Sequence, residues 1–266
     1  MSRGLGDVYK RQALLNGIHC EKNPLIASTL TNYLSSPLQE TSSVERDKIE
    51  NELYRLSYSH PIPSCRIQLL RLLITEAASP AMIQCLYSLW ETERVQQLNE
   101  KDYTTLAYEL ALRIPEPGKE ILKTQRQRIH NPDRLRQFDF ISRAMTADTL
   151  KLDSLFQSLL QAENRRIEPW AATTLSYLNH STRKDYAVKY IRPALEELTE
   201  VQRTGDIFFP RNWVGALLRN HDSEAAYKAV ETFLSVYPDY SPLLKNKILQ
   251  AAYPLYRKYA DKEKIS

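Results

Sequence analysis

Glycine is scarce. Six occur in 266 residues: Gly4, Gly6 and Gly17 near the start, then Gly118, Gly205 and Gly215. Tight β-hairpins draw on glycine or Asn-Gly for their positive-φ positions. Asn16-Gly17 is the one Asn-Gly pair, and it does not lie between alternating strands, so an all-β fold is excluded. Cysteine is scarcer still. Cys20, Cys65 and Cys85 are odd in number and show no Cys-x-x-Cys spacing, which argues against a disulfide framework or a cysteine zinc site. They sit in or near helical stripes and read as small buried hydrophobes rather than catalytic thiols. No apolar run reaches the roughly 18 residues of a membrane helix, and no apolar leader opens the chain. The expectation is a soluble protein without a membrane partner, in cytoplasm or periplasm.

Catalytic signatures are also missing. His19, His60, His130, His180 and His221 are isolated from one another. No two stand at the i, i+4 spacing that turns both imidazoles to one helix face for zinc. Phosphate-cradling loops and the Gly-x-Ser-x-Gly elbow do not occur. Four of the histidines stand near predicted helix ends, where an imidazole usually meets terminal carbonyls. The net charge of +4, from 36 basic and 32 acidic residues, is a weak footprint for nucleic acid. Basic residues do gather between Lys119 and Arg136. Acidic residues interleave with them, so they read as a solvated helix face.

What the chain has is proline. Fourteen punctuate it, several directly after a capping residue: Asn23-Pro24, Ser79-Pro80, Asn131-Pro132 and Ser241-Pro242. Asparagine or serine as N-cap with proline at the first helical position marks a helix start. Ser42 to Glu45 adds a capping-box pattern. Between the starts, apolar residues recur at helical spacing, as in Leu152, Leu155, Phe156 and Leu159, or in Tyr190, Ile191, Ala194, Leu195, Leu198 and Val201. The pattern predicts helices over 25–35, 43–58, 64–78, 80–93, 100–113, 118–130, 132–144, 147–161, 168–178, 182–203, 211–219, 223–236 and 242–259. Pro193 and Pro254 should kink or end the helices that contain them.

About thirteen helices with short connections predict an all-α fold. The best-fitting architecture is a right-handed solenoid of antiparallel helix pairs of the HEAT or armadillo kind. Residues 13–260 read as one helical-repeat domain and 261–266 as a tail. Ser2 to Gln12 lacks periodicity and resembles a translated adapter remnant, so 1–12 are expected to be non-native or disordered.

Two segments carry more than packing residues. Asn164-Arg165-Arg166-Ile167-Glu168-Pro169-Trp170 sets two arginines and an indole at a helix entry. Thr204-Gly205-Asp206-Ile207-Phe208-Phe209-Pro210-Arg211-Asn212-Trp213 gathers three aromatics and an arginine. Guanidinium forks beside flat aromatic surface suit carboxylates and peptide chains. Arg165, Arg166, Trp170, Arg211 and Trp213 are therefore the candidate substrate-facing residues.

At these segments a resemblance emerges. Asn131-Pro132-Asp133-Arg134, Glu163-Asn164-Arg165-Arg166, Pro169-Trp170, Leu175-Ser176-Tyr177-Leu178, Thr204 to Pro210, and Lys247-Ile248-Leu249-Gln250-Ala251-Ala252 are similar to the C-terminal domain of bacterial zinc aminopeptidases of the alanyl/leucyl (gluzincin) family. The likeness spans roughly residues 100–257. It implies a non-catalytic helical cap that closes over a peptide cavity, with the catalytic domain of the same parent chain and the peptide substrate as partners. Zinc and every catalytic residue would lie upstream, so no catalytic or metal-binding position is carried over. A free-standing helical adaptor that binds a protein partner is the alternative.

Overall fold

The computed structural model describes residues 3–39 and 41–260. Helix makes up 81% of it, and no strand occurs among the described residues. Sixteen α-helical segments follow one another: α1 (Arg3–Cys20), α2 (Pro24–Gln39), α3 (Ser43–Ser59), α4 (Pro63–Glu76), α5 (Pro80–Thr92), α6 (Glu100–Arg113), α7 (Pro115–Arg128), α8 (Pro132–Ile141), α9 (Thr149–Leu159), α10 (Glu168–Leu178), α11 (Lys184–Ala187), α12 (Ile191–Glu196), α13 (Leu198–Thr204), α14 (Phe209–Leu218), α15 (Glu224–Val236) and α16 (Pro242–Tyr259). Short 3-10 turns cover 142–145, 162–165, 181–183 and 188–190.

Helices begin at all four proline-marked starts, and Asn23, Ser79 and Asn131 cap theirs, whereas Ser241 makes no side-chain cap. Ser79 accepts from the Met82 amide, and Asn131 accepts from the Asp133 and Arg134 amides. The Ser42 capping box does not form. Ser42 makes no side-chain cap; its hydroxyl donates to Glu45 Oε2 at 3.4 Å, the oxygen that also accepts from Arg11 at 3.0 Å. A full box forms instead at Asn99 and Asp102, where Arg71 grips the Asp102 carboxylate through two nitrogens at 2.7 and 3.0 Å.

The opening segment set aside by the sequence reading is helical from Arg3, and Arg11 within it is buried against Thr41 and Glu45. Pairing with another helix, rather than local periodicity, orders it. One expectation is corrected, that of an unbroken helix over 182–203, which is broken into α11, a 3-10 turn, α12 and α13. Pro193 supplies no amide to the turn before it, which ends the regular ladder there. Pro254 sits inside α16, which runs on to Tyr259. The expected tail, 261–266, lies outside the described residues.

The chain divides into two compact units, Met1–Ile129 and His130–Ser266, where the sequence suggested one domain over 13–260. In the first, α2 packs on α4, α4 on α6 and α3 on α5, beside the sequential pairs α1 with α2, α3 with α4 and α6 with α7. Its core is the cluster of Ile18, Leu34, Leu53, Leu69, Leu73, Met82, Leu86, Leu106 and their neighbours. In the second, α8 packs on α10, α10 on α14, α14 on α16 and α12 on α15. Phe156, Ile191, Leu195, Leu198, Trp213, Phe233 and Ile248 are sealed inside it.

Within both units, helices are tied to partners one helix pair away in sequence. His60 meets the Ile18 carbonyl 42 residues back, and Gln68 meets Ser28 at a separation of 40. Arg113 reaches the Ile74 carbonyl at 39, Arg128 the Trp90 carbonyl at 38, and Arg183 the Ala144 carbonyl at 39. His221 meets Asn179 at 42 and Lys258 the Asp222 carbonyl at 36. The recurrent donors are long cations that satisfy terminal carbonyls left open by an earlier helix.

Candidate functional site

The two aromatic-arginine segments come together in the second unit. The first occupies the 162–165 turn and the entry of α10; the second joins α13 to α14. Their link is a backbone clasp: the Asp206 amide donates to Glu168 Oε1 at 2.7 Å. Asp206 Oδ1 in turn accepts the Phe208 and Phe209 amides at 2.7 and 2.8 Å, which starts α14. Gly205 is required by close approach. A Cβ there would lie 2.5 Å from Phe209 Cδ1 and 2.9 Å from both Glu168 Oε1 and the Val201 carbonyl.

Arg165 holds this joint from inside. It is 2% exposed, and its guanidinium donates to the Leu159 and Leu160 carbonyls at 3.1 and 2.7 Å and to Glu197 at 2.8 Å. Its carbon centre lies 5.8 Å from the Trp213 ring. Trp213 is fully buried, meets Phe209 edge-on, and donates its indole N–H to the Ala194 carbonyl at 3.0 Å. Both residues are committed to structure, and Arg165 closes the open carbonyls at the end of α9.

A cleft of about 230 Å³ opens over this joint, lined by Ala162, Glu163, Arg165, Arg166, Glu168, Thr204 and Phe209. The accessible charges in its wall are Glu163 and Arg166, both exposed. The Arg166 side chain makes no hydrogen bond or ion pair among the described residues. Arg211 is exposed on the first turn of α14. Trp170 is half-buried against Phe140, ring centres 5.9 Å apart, and does not line the cleft. Of the five candidates, the structure therefore brings Arg165 and Arg166 into one cleft, seats Trp213 beneath it, and leaves Trp170 and Arg211 outside its wall. The Glu168–Asp206 clasp was not foreseen. The signal available was Gly205 itself, a rare glycine between two helical stripes.

Other clusters are internally satisfied. Asp153 accepts from the Tyr186 hydroxyl at 2.9 Å, the Tyr190 hydroxyl at 2.6 Å and Lys189 Nζ. The Lys189 and Tyr190 bonds hold its carboxyl below the usual carboxylate range. Glu50, 1% exposed, accepts from Arg46 at 2.8 Å and from the Ala78 and Ser79 amides at 2.8 and 3.0 Å, which anchors the start of α5. In the basic stretch, Lys123 pairs with Glu120, Arg128 with Glu93 and Arg136 with Asp133. Cys65 is buried as expected, whereas Cys20 and Cys85 are exposed, because the stripes beside them turn only their neighbours inward. Among the described residues, no group of three or more histidines, cysteines or carboxylates is placed to hold a metal ion. No single described helix is long and apolar enough to cross a membrane.

What fold and site define is a helical protein built on helix-pair packing, with a small two-loop cleft in its second unit. No protein-family model matches the chain, and no curated protein matches it.

Proposed function

We propose that this chain is a non-catalytic helical cap of a zinc aminopeptidase, with its zinc and catalytic residues upstream in the parent chain. One observation carries most of the support. The segments 164–170 and 204–213, singled out by their arginines and aromatics and overlapping the phrases that carry the resemblance, are far apart in sequence yet meet across the Glu168–Asp206 clasp and frame one cleft. The helix-pair separation of 36–42 residues between tied positions adds to it, since HEAT and armadillo repeats run at roughly 40–47 residues. In this reading Arg166 in the cleft wall and Arg211 outside it, on the first turn of α14, are the accessible cations for an extended peptide ending in a carboxylate, while Arg165 and Trp213 hold the joint beneath the cleft.

The reading frame upstream tests this directly. It should encode His-Glu-x-x-His followed by a further glutamate; an upstream sequence without that motif overturns the reading. In the complete enzyme, Arg211→Ala should raise KM for longer peptides and leave small aminoacyl reporters unchanged, the pattern of lost remote binding without lost chemistry. Equal behaviour on both substrate sizes would remove Arg211 from the site.

The adaptor alternative draws on a different observation. Ile207 is 79% exposed and Phe208 64% exposed at the tip of the second loop, beside the cleft. Apolar side chains displayed in this way suit a protein partner. An independent start codon with no upstream metalloprotease motif would favour it.

A further inference from the structure

The turn 220–222 between α14 and α15 joins more elements than its length suggests. Asn220 Nδ2 donates to the Asn179 carbonyl at 3.2 Å, at the end of α10. Asp222 Oδ1 accepts from Lys184 Nζ of α11 at 2.6 Å. The Asp222 carbonyl accepts from Lys258 Nζ and the Tyr259 hydroxyl of α16 at 2.8 and 2.9 Å. Between these ties sits His221, 3% exposed, with Nε2 2.9 Å from Asn179 Oδ1.

The hydrogen-bond pattern sets the protonation state of His221. Asn179 is fully buried and donates Nδ2 to the Leu175 carbonyl at 2.9 Å, so its Oδ1 is the acceptor facing His221. His221 Nε2 therefore carries the hydrogen. Nδ1 is left bare, buried and without a hydrogen-bond partner. A proton placed on Nδ1 would be a buried N–H⁺ with no acceptor, a costly state.

The charges that act on the ring are Asp222 beside it and Lys184 and Asp185 of α11. The other charged or titratable groups at the turn are Arg219 at the end of α14, Lys258 and Tyr259 of α16, and buried His180, which follows Asn179. Burial is the largest influence and pulls the imidazole from 6.5 to about 4; Asp222 and Asp185 oppose that shift and Lys184 reinforces it.

We propose that the 220–222 turn is an acid-release latch of the second unit, closed while His221 is neutral and opened when its ring takes a proton. Opening would free the end of α10 from the α14–α15 turn and loosen the ties to α11 and α16. The sign follows from proton counting. Between pH 6.5 and about 4 the open state holds a proton that the closed state lacks. The open population therefore grows about tenfold for each pH unit lost in that window, and is flat above it.

Amide hydrogen exchange on the full chain, corrected for intrinsic chemistry, reads this population at residues 175–185 and 218–226. The expected result is a slope of about tenfold per pH unit below 6.5 in the wild type. His221→Gln keeps an N–H donor for Asn179 but cannot titrate, so the slope should vanish there. Equal slopes in both proteins, or a flat wild type, overturn the latch. Should His221→Gln fail to fold, the wild-type ring resonances decide. A His221 midpoint near 4 supports the proposal, and one at or above 6.5 sinks it.

Discussion

Arg165 and Arg166 are neighbours of identical chemistry and opposite standing. The first spends its guanidinium on two carbonyls at the end of α9 and on Glu197; the second is exposed at the cleft. Replacing Arg165 with alanine strands two terminal carbonyls and a partly buried carboxylate, and removes the cation beside Trp213. That should cost about 2–4 kcal/mol. Arg165→Lys should recover only a fraction, because a single ammonium cannot span three acceptors set for a fork. Arg166→Ala should stay within about 0.5 kcal/mol, as exposed substitutions do. Urea unfolding of the three variants checks the contrast, and the reverse order would show that Arg165 is not the pillar of this joint. The sequence could not separate the two. Both stand in one short polar phrase, and the difference lies in Glu197 and Trp213, over thirty residues away.

Helices were legible because their signals are local. The Asn131-Pro132 and Ser79-Pro80 starts, and stripes such as Leu152 to Leu159, need only neighbouring residues to act, and all formed within a few residues of expectation. What escaped depends on another element. Arg11 ties the first helix to Thr41 and Glu45, and Ser42 donates to that same Glu45 carboxylate instead of capping an amide. Two helical glycines make the dependence testable. Gly118 in α7 lies against α6, where an added Cβ would come within 2.9 Å of the Ala111 carbonyl oxygen. Gly215 in α14 has nothing within 4 Å of that position. Helix propensity favours alanine over glycine by up to about 1 kcal/mol at both. Gly215→Ala should therefore stabilise by about 0.5–1 kcal/mol. Gly118→Ala should destabilise by about 1–3 kcal/mol, because backbone must move apart. Thermal melts of the two variants should shift in opposite directions; a stabilised Gly118→Ala would mean that α6 and α7 are less closely packed than described.

Each unit carries what an independent fold requires. The first seals Leu34, Leu53, Leu69, Leu73 and Ile74 at 0–1% exposure, and the second seals Phe156, Leu195, Leu198, Trp213, Val230 and Phe233 to the same degree. Two buried charges also find their partners within their own unit. Glu50 is satisfied by Arg46, Ala78 and Ser79, and the two terminal nitrogens of Arg165 by residues 159, 160 and 197, its Nε alone lacking a partner. Units of this size, near the common length of domains, bury enough apolar surface to fold alone. The division falls at Ile129 and His130, directly before the Asn131-Pro132 cap that restarts the helical pattern. Separate expression of 1–129 and 130–266 should thus give two folded proteins. Each should melt cooperatively, and their circular dichroism, weighted by length, should sum to that of the whole chain. The acid sensitivity argued for His221 should travel with 130–266 alone. If either half is unfolded in isolation, the division is one of contact density and not of folding, and the expectation of a single domain over 13–260 is the better description.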